Sequence, residues 1–290
     1  MTKRFIRLAI LMVLALAVLS GCNIFRRART VQAEPPPPFQ SPITQPVGHP
    51  GMTLQEIAQA LEKRQADTRS ILGTLSITVG EARSRTRMQF DAHMYFAPPD
   101  FLRVRGSADA GTLFDFLMQG DQVQVMLVPE KKIHTGTVAR LRQNPTLMAG
   151  IQPDDLMYSF LAEQNLYRSI MSGGGAQLAE QGDHFEITVP YASGVSEKFR
   201  LRVSDLLIDN IERFQGRRNL GHVRFDGYAF YAAPGGKTKK AQHLLPSRFE
   251  ATLPSGASAT VEARELEPNA PRNKELSTMD VPPDFQAQPL

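Results

Sequence analysis

Beyond residue 70 the apolar residues of this 290-residue chain recur at every second position, in short runs separated by turn residues. A period of two puts alternate side chains on opposite faces of an extended strand, so such a chain folds as sheet rather than as a helical bundle. Leu75, Ile77 and Val79 alternate with polar residues. Met88, Phe90, Ala92, Met94 and Phe96 then point one way and Arg87, Gln89, Asp91, His93 and Tyr95 the other, a long strand with one wet face. Pro98-Pro99-Asp100 is a reversal, because proline has no N–H to give a ladder and Asp caps turns readily. Strands follow at 101–105, 113–119, 122–128 and 131–138, parted by Gly106 to Gly111, Gly120-Asp121 and Pro129-Glu130. Connections this short leave no room for a crossover helix, so the neighbours are antiparallel and form a meander.

The period is 3.6 in only two places. Thr53 with Glu56 three residues on makes a capping box, and Leu54, Ile57, Ala58 and Leu61 share a face, which predicts one amphipathic helix ending near Asp67. A helical insert over about 141–171 interrupts the strands. In it Pro153-Asp154-Asp155 opens a helix with the stripe Leu156, Met157, Phe160 and Leu161, the two acids facing the positive end of the helix dipole. Asn144 to Gly150 reads as a shorter helical turn before it. Gly173-Gly174-Gly175 is flexible backbone, without the strand-to-helix context or the Gly-Lys-Ser/Thr of a phosphate loop. Period two returns over 184–189, 198–203, 206–214, 222–231, 245–253 and 257–266. The tail from Glu267 is proline-rich, and Asp280 to Phe285 offers a last edge contact. The expected class is α+β, mainly β. A sheet of about eleven strands tends to curl, enclosing a volume that the helices fill or leave open for a ligand.

The N-terminus is written differently. Leu8 to Leu19 is uninterrupted hydrocarbon behind Lys3, Arg4 and Arg7, too short to span a bilayer, which needs roughly 20 apolar residues. It has the charged, apolar and small-residue parts of a secretory signal covering 1–21. Leu19-Ser20-Gly21-Cys22 resembles the lipobox of bacterial lipoproteins. That resemblance implies that Cys22, the only cysteine, carries a diacylglycerol on its thiol and, after cleavage, an acyl chain on its amine. An ordinary signal cut near Ala17, leaving Cys22 as a free thiol, is the alternative. Residues 22–51, from the lipidated cysteine through Pro35 to Pro38, Pro42, Pro46 and Pro50, lack apolar periodicity and read as a polyproline II spacer or, more sharply, as a ligand for a proline-recognising partner. A single domain is expected over 52–290.

A pI of 9.3 points to nucleic acid until the charges are located. Of 33 basic residues, six (Lys3, Arg4, Arg7, Arg26, Arg27 and Arg29) precede the first acid, Glu34, so 27 basic against 29 acidic residues remain, a net −2. The body of the chain is not basic, and nucleic acid is excluded as a partner. Arg26, Arg27 and Arg29 follow the anchor directly, where they either touch anionic head groups or are simply solvated.

No motif in the chain supports an enzyme, and none is expected. The six histidines are scattered, with no metal-ligand spacing and no second cysteine, so neither a metal nor another cofactor is expected. His184 and Glu186 share a strand face as an ordinary surface pair, there is no Gly-x-Ser-x-Gly elbow, and Ser193, Ser196 and Ser255 belong to turns. What stands out is apolar chemistry: Met88, Met94, Met118 and Met126 among Phe90, Phe96, Phe114 and Phe116. This pliable mixture suits varied apolar partners, and it also reads as plain core packing.

The order of elements resembles the LolA/LolB-like family of lipoprotein-localisation carriers and receptors. The match runs from Ile71 to Gly136: Gly73-Thr74-Leu75, the long strand to Phe96, Pro99-Asp100-Phe101-Leu102-Arg103, Gly111 to Phe116, Gly120-Asp121, Val123 and Pro129. The resemblance implies an unclosed half-barrel with helices lidding its cavity, and acyl chains of a lipid or lipoprotein bound there without catalysis. Candidate lining residues are Phe90, Met94, Phe96, Leu102, Val104, Phe114 and Phe116. It further implies a lipid-anchored place in the cell envelope, and Asn23 in place of aspartate after the cysteine points to the outer membrane, facing the periplasm. One departure is the loop Gly106-Ser107-Ala108-Asp109-Ala110-Gly111, which lacks the leucine that the family's membrane receptor carries between its third and fourth strands. The alternative function is a non-transporting assembly or sensor module that grips an envelope protein through the same fold.

Overall fold

A computed structural model describes residues 41–64, 68–80, 87–109, 111–143, 153–234 and 242–290. Helix α1 (Leu54–Arg64) starts at the expected capping box: the Thr53 N–H donates to Glu56 Oε2 at 2.7 Å and the Glu56 N–H to Thr53 Oγ1 at 3.3 Å. Its face Ile57, Ala58 and Leu61 is buried, and the expected end near Asp67 lies outside the described residues. The first meander is β1 (Ile71–Gly80), β2 (Arg87–Ala97), β3 (Phe101–Ala108), β4 (Gly111–Gln119), β5 (Gln122–Leu127) and β6 (Lys132–Thr137). Helices α2 (Val138–Gln143), α3 (Pro153–Phe160) and α4 (Ala162–Met171) follow, and the turn expected over 144–150 lies outside the described residues. The second meander is β7 (Gln177–Gln181), β8 (His184–Pro190), β9 (Val195–Arg202), β10 (Ile208–Gln215), β11 (Arg218–Ala232), β12 (Gln242–Thr252) and β13 (Ser258–Pro268), with β14 (Gln286–Pro289) at the C-terminus.

These form one sheet of 14 strands in the order β14-β6-β5-β4-β3-β2-β1-β13-β12-β11-β10-β9-β8-β7, more than the eleven or so expected. The extra strands are the polar edge strand β7, paired only to β8, and β14, which lies parallel to β6; the described partners are otherwise antiparallel. The two meanders join where β1 pairs with β13, and the ends β14 and β7 do not meet, so the sheet is unclosed.

Cross-strand rows build the core. Ile71, Phe96, Leu102, Met118 and Val123 stand opposite one another from β1 to β5, and Met94, Val104, Phe116 and Val125 make the next row. In the second meander Val261, Phe249 and Phe225 form one row and Ile211, Phe199 and Ile187 another. All belong to a single buried cluster with Ile57 and Leu61 of α1, Phe160 of α3 and Leu166 of α4. Helix α3 reports the curvature. Its Phe160 ring lies 6.2 Å from Phe96 on β2 and 5.2 Å from Phe249 on β12, while Tyr158 bonds Glu197 on β9. Strands β2 and β9 are six spacings apart, roughly 29 Å in a flat sheet, so the sheet must curve around α3.

The other face of β2 to β4 is drier than the alternation predicts. Tyr95, Phe101 and Leu117 are buried there with Ala270, under the C-terminal segment. Arg103 donates to both oxygens of buried Asp115, at 3.2 and 2.8 Å, and to the carbonyls of Glu275 and Thr278, the latter at 2.7 Å. Arg272 covers the Phe101 ring at 3.6 Å. The expected edge contact at 280–285 is there an ion pair, Asp284 with Lys131 at 2.7 Å, and sheet pairing begins at Gln286. The end of the proline-rich stretch also meets the fold: the Val47 N–H donates to Ser204 O at 2.9 Å, and the Gly51 N–H to Glu180 Oε2 at 2.8 Å.

Candidate apolar binding site

All seven candidate lining residues lie on the concave face of β2, β3 and β4. Phe90, Met94, Phe96, Leu102, Val104 and Phe116 are buried and Phe114 is half-buried against them. The Phe90 and Phe114 rings meet edge to face at 5.6 Å. Phe114 lies across Gly106, where a Cβ would sit 2.2 Å from its ring, so the glycine makes room for the aromatic. Alternation left open which face looks inward; packing against α1 and α3 decides it. Of the four methionines, Met88, Met94 and Met118 share this face, whereas Met126 stands opposite Asp115 on the other, one residue out of phase with Val125. Cys22 lies outside the described residues.

At one end of this face the packing opens into a cleft of about 540 Å³, within the size range of small-molecule sites. On the sheet side it is bounded by Pro98-Pro99-Asp100, Met118 and Gly120-Asp121. Val138 and Arg142 of α2, Met157 and Tyr158 of α3, and Leu161, Asn165 and Arg168 close the helix side. Met118 pairs with Leu102, which pairs with Phe96, so the floor of the cleft continues the candidate lining.

A polar knot holds α3 in the hollow. Glu197 is 3% exposed on the inward face of β9. The hydroxyls of Tyr158 and Tyr191 donate to its Oε2, the latter at 2.7 Å, and Arg213 Nε donates to Oε1 at 2.9 Å. Arg213 also stacks 5.5 Å from the centre of the Tyr158 ring. Burial, then the charge of Glu197, pushes the Tyr158 phenol well above the usual tyrosine range, so it stays a donor. Glu197 stands one residue ahead of the strand expected over 198–203, so the sequence does not single it out. Its one signal is that it keeps the inward phase of Phe199 and Leu201. A second tie joins the helices: Arg64 grips Glu163 at 3.1 and 2.8 Å and the Leu206 carbonyl at 2.8 Å. Burial pushes the Glu163 carboxyl up although Arg64 pulls it down.

His184 bonds Asp209 at 2.7 Å, and Glu186 faces Lys198 at 3.4 Å, so the two expected as a surface pair have separate partners. Among the described residues no three His, Cys, Asp or Glu side chains are grouped to hold a metal ion, and no helix is long and apolar enough to cross a membrane.

No protein-family model matches the sequence, and no curated protein does. Solved structures do match the fold. One is a domain assigned to outer-membrane lipoprotein sorting from Vibrio parahaemolyticus, at 12% identity over 76% of this chain and 94% of that one, with a TM-score of 0.51. Another is a LolA superfamily protein from Nitrosomonas europaea, at 11% identity over 79% of this chain and 99% of that one, with a TM-score of 0.49. With its single unclosed sheet wrapped around the helical insert, the chain has a LolA/LolB-like fold.

Proposed function

We propose that the protein is a lipid-anchored envelope lipoprotein that binds acyl chains of a lipid or lipoprotein in the hollow of its half-barrel, with α3 and α4 as the lid and without catalysis. The observation that carries this reading is continuity: the apolar row Phe96, Leu102 and Met118 runs from the core into an open cleft. Burying ten methylenes there is worth about 8 kcal/mol, roughly micromolar binding before the cost of association is counted. The inner face is already packed around Phe160, so a chain reaching Phe90 must displace α3 and loosen the Tyr158–Glu197 tie. Cys22 fixes the protein to the periplasmic face of the outer membrane, with the residues before the docked 43–51 stretch as its tether. The loop around Gly106 to Gly111 lacks a large apolar residue, which favours holding and handing over a chain above inserting it into a bilayer.

Protein expressed without residues 1–22 and delipidated is expected to take up a fluorescent fatty acid, and Phe90→Asp, if its circular dichroism stays native, to weaken uptake at least about tenfold. A folded protein that takes up none contradicts the proposal. The packed interior would then favour the second reading, an interaction module for an envelope protein. Pull-down from membranes separates the two, by co-purified lipid or by a stoichiometric protein.

A further inference from the structure

We infer that residues 43–52 form a strap that keeps the lid shut, coupled to α4 through the turn at 203–206 and the Arg64–Glu163 pair. The inference rests on the reading of α3 and α4 as a lid, and adds what holds that lid closed. Ile43 packs against the core and Met52 is buried, so both ends of the strap are fixed. Between them the Val47 and Gly48 N–H groups donate to Ser204 O at 2.9 and 3.3 Å. A Cβ on Gly48 would sit 2.1 Å from Val203 O and 2.9 Å from Leu206 Cδ2, so strap and turn meet with no room for a side chain.

The turn under the strap is strained. Leu206 has a φ of 56°, in the left-handed region where a Cβ crowds the backbone, and it is fully buried. Such a conformation persists only where the surroundings over-determine it. The strap presses on Leu206 from one side. On the other, Arg64 of α1 donates to the carbonyls of Asp205 and Leu206, the latter at 2.8 Å. The same guanidinium holds Glu163, in the first turn of α4, at 3.1 and 2.8 Å. Each link from Val47 to α4 is therefore a hydrogen bond or a direct contact, and the strained turn is the element with a second arrangement to relax into. When the strap leaves, Leu206 relaxes, Arg64 loses its two carbonyls, and Glu163 is no longer held in place. Release of 43–51 also lengthens the tether by about 28 Å in polyproline II geometry, so the reach of the anchor and the opening of the lid rise together.

The test is hydrogen exchange read by mass spectrometry on the full-length protein in detergent. Val47→Pro removes one donor to Ser204 O without adding bulk at Gly48, and Gly48→Val blocks the contact itself. Each should free the 43–52 amides and raise exchange over 163–171 about tenfold, the scale of one hydrogen bond to a charged group, while β2 and β3 keep their protection. Arg64→Gln should raise exchange at the same α4 amides, and Val47→Pro should then add little, because both act on one chain of contacts. A freed strap with α4 unchanged, an equal rise in β2 and β3, or additive effects of the two substitutions overturns the coupling. Uptake of a fluorescent fatty acid by the same variants tests the lid reading separately. Faster uptake than by the unaltered protein is expected; uptake by none of them overturns acyl binding, while the exchange data decide the coupling on their own.

Discussion

At Gly73 the inner face has no slack. A Cβ there would sit 2.5 Å from Leu266 Cδ2 and 2.9 Å from the Glu265 carbonyl oxygen, so Gly73→Ala must push β1 from β13 at the seam of the two meanders. The expected cost is about 1–3 kcal/mol, seen as a lower urea midpoint, and an unchanged midpoint would contradict the close packing. On the other face, Asp115 holds Arg103 and Arg105 while itself fully buried. Asp115→Ala should destabilise by about 3–5 kcal/mol, because it strands the buried Arg103 guanidinium. Asp91→Ala, which breaks a half-exposed pair with Arg264, should cost less than about 1 kcal/mol in the same assay. The sequence marks Gly73 as part of a strand motif but not the neighbour that requires it. Asp115 sits between Phe114 and Phe116 as any wet-face residue would. Its burial comes from a segment at the far end of the chain, which no local pattern reveals.

Helix α3 is the element on which the proposed binding turns. Tyr158→Phe removes one donor to Glu197 and should raise amide exchange in α3 and speed fatty-acid uptake, for a stability loss of about 1–3 kcal/mol. Unaltered exchange would show that the tie does not hold the helix. The same phenol gives a pH dependence. It stays neutral in the folded state well above the ordinary tyrosine value, whereas the unfolded chain releases that proton near pH 10. Stability is therefore whole below about pH 10 and falls as pH rises past it, and Tyr158→Phe should flatten that fall in pH-dependent thermal melts. The start of α3 is legible in Pro153-Asp154-Asp155, but its break at Leu161 is not, since the apolar stripe runs on through Ala162 and Leu166 without glycine or proline. Strand β7 is illegible for a similar reason: at a sheet edge with four of its five residues exposed, it has only Leu178 against the core and no alternation to show.

For the whole molecule, the alternation sufficed to give two meanders around a helical insert, because each long strand has one face in the common core. It could not show the C-terminal segment as part of the architecture, since that stretch contributes few apolar residues and works through Arg103, Arg272 and β14. Removing 269–290 should expose Tyr95, Phe101 and Leu117 and free the β6 edge, giving dimers or larger species by light scattering; a monomer of unchanged stability would contradict a structural role for the segment. The central proposal is that the hollow wrapped around α3 exchanges helix for acyl chain. Its most direct test is native mass spectrometry of the full-length protein purified from its own membranes. One non-covalent lipid per chain, leaving on mild activation, is the expected result; a chain with no non-covalently added mass under the same conditions would contradict it.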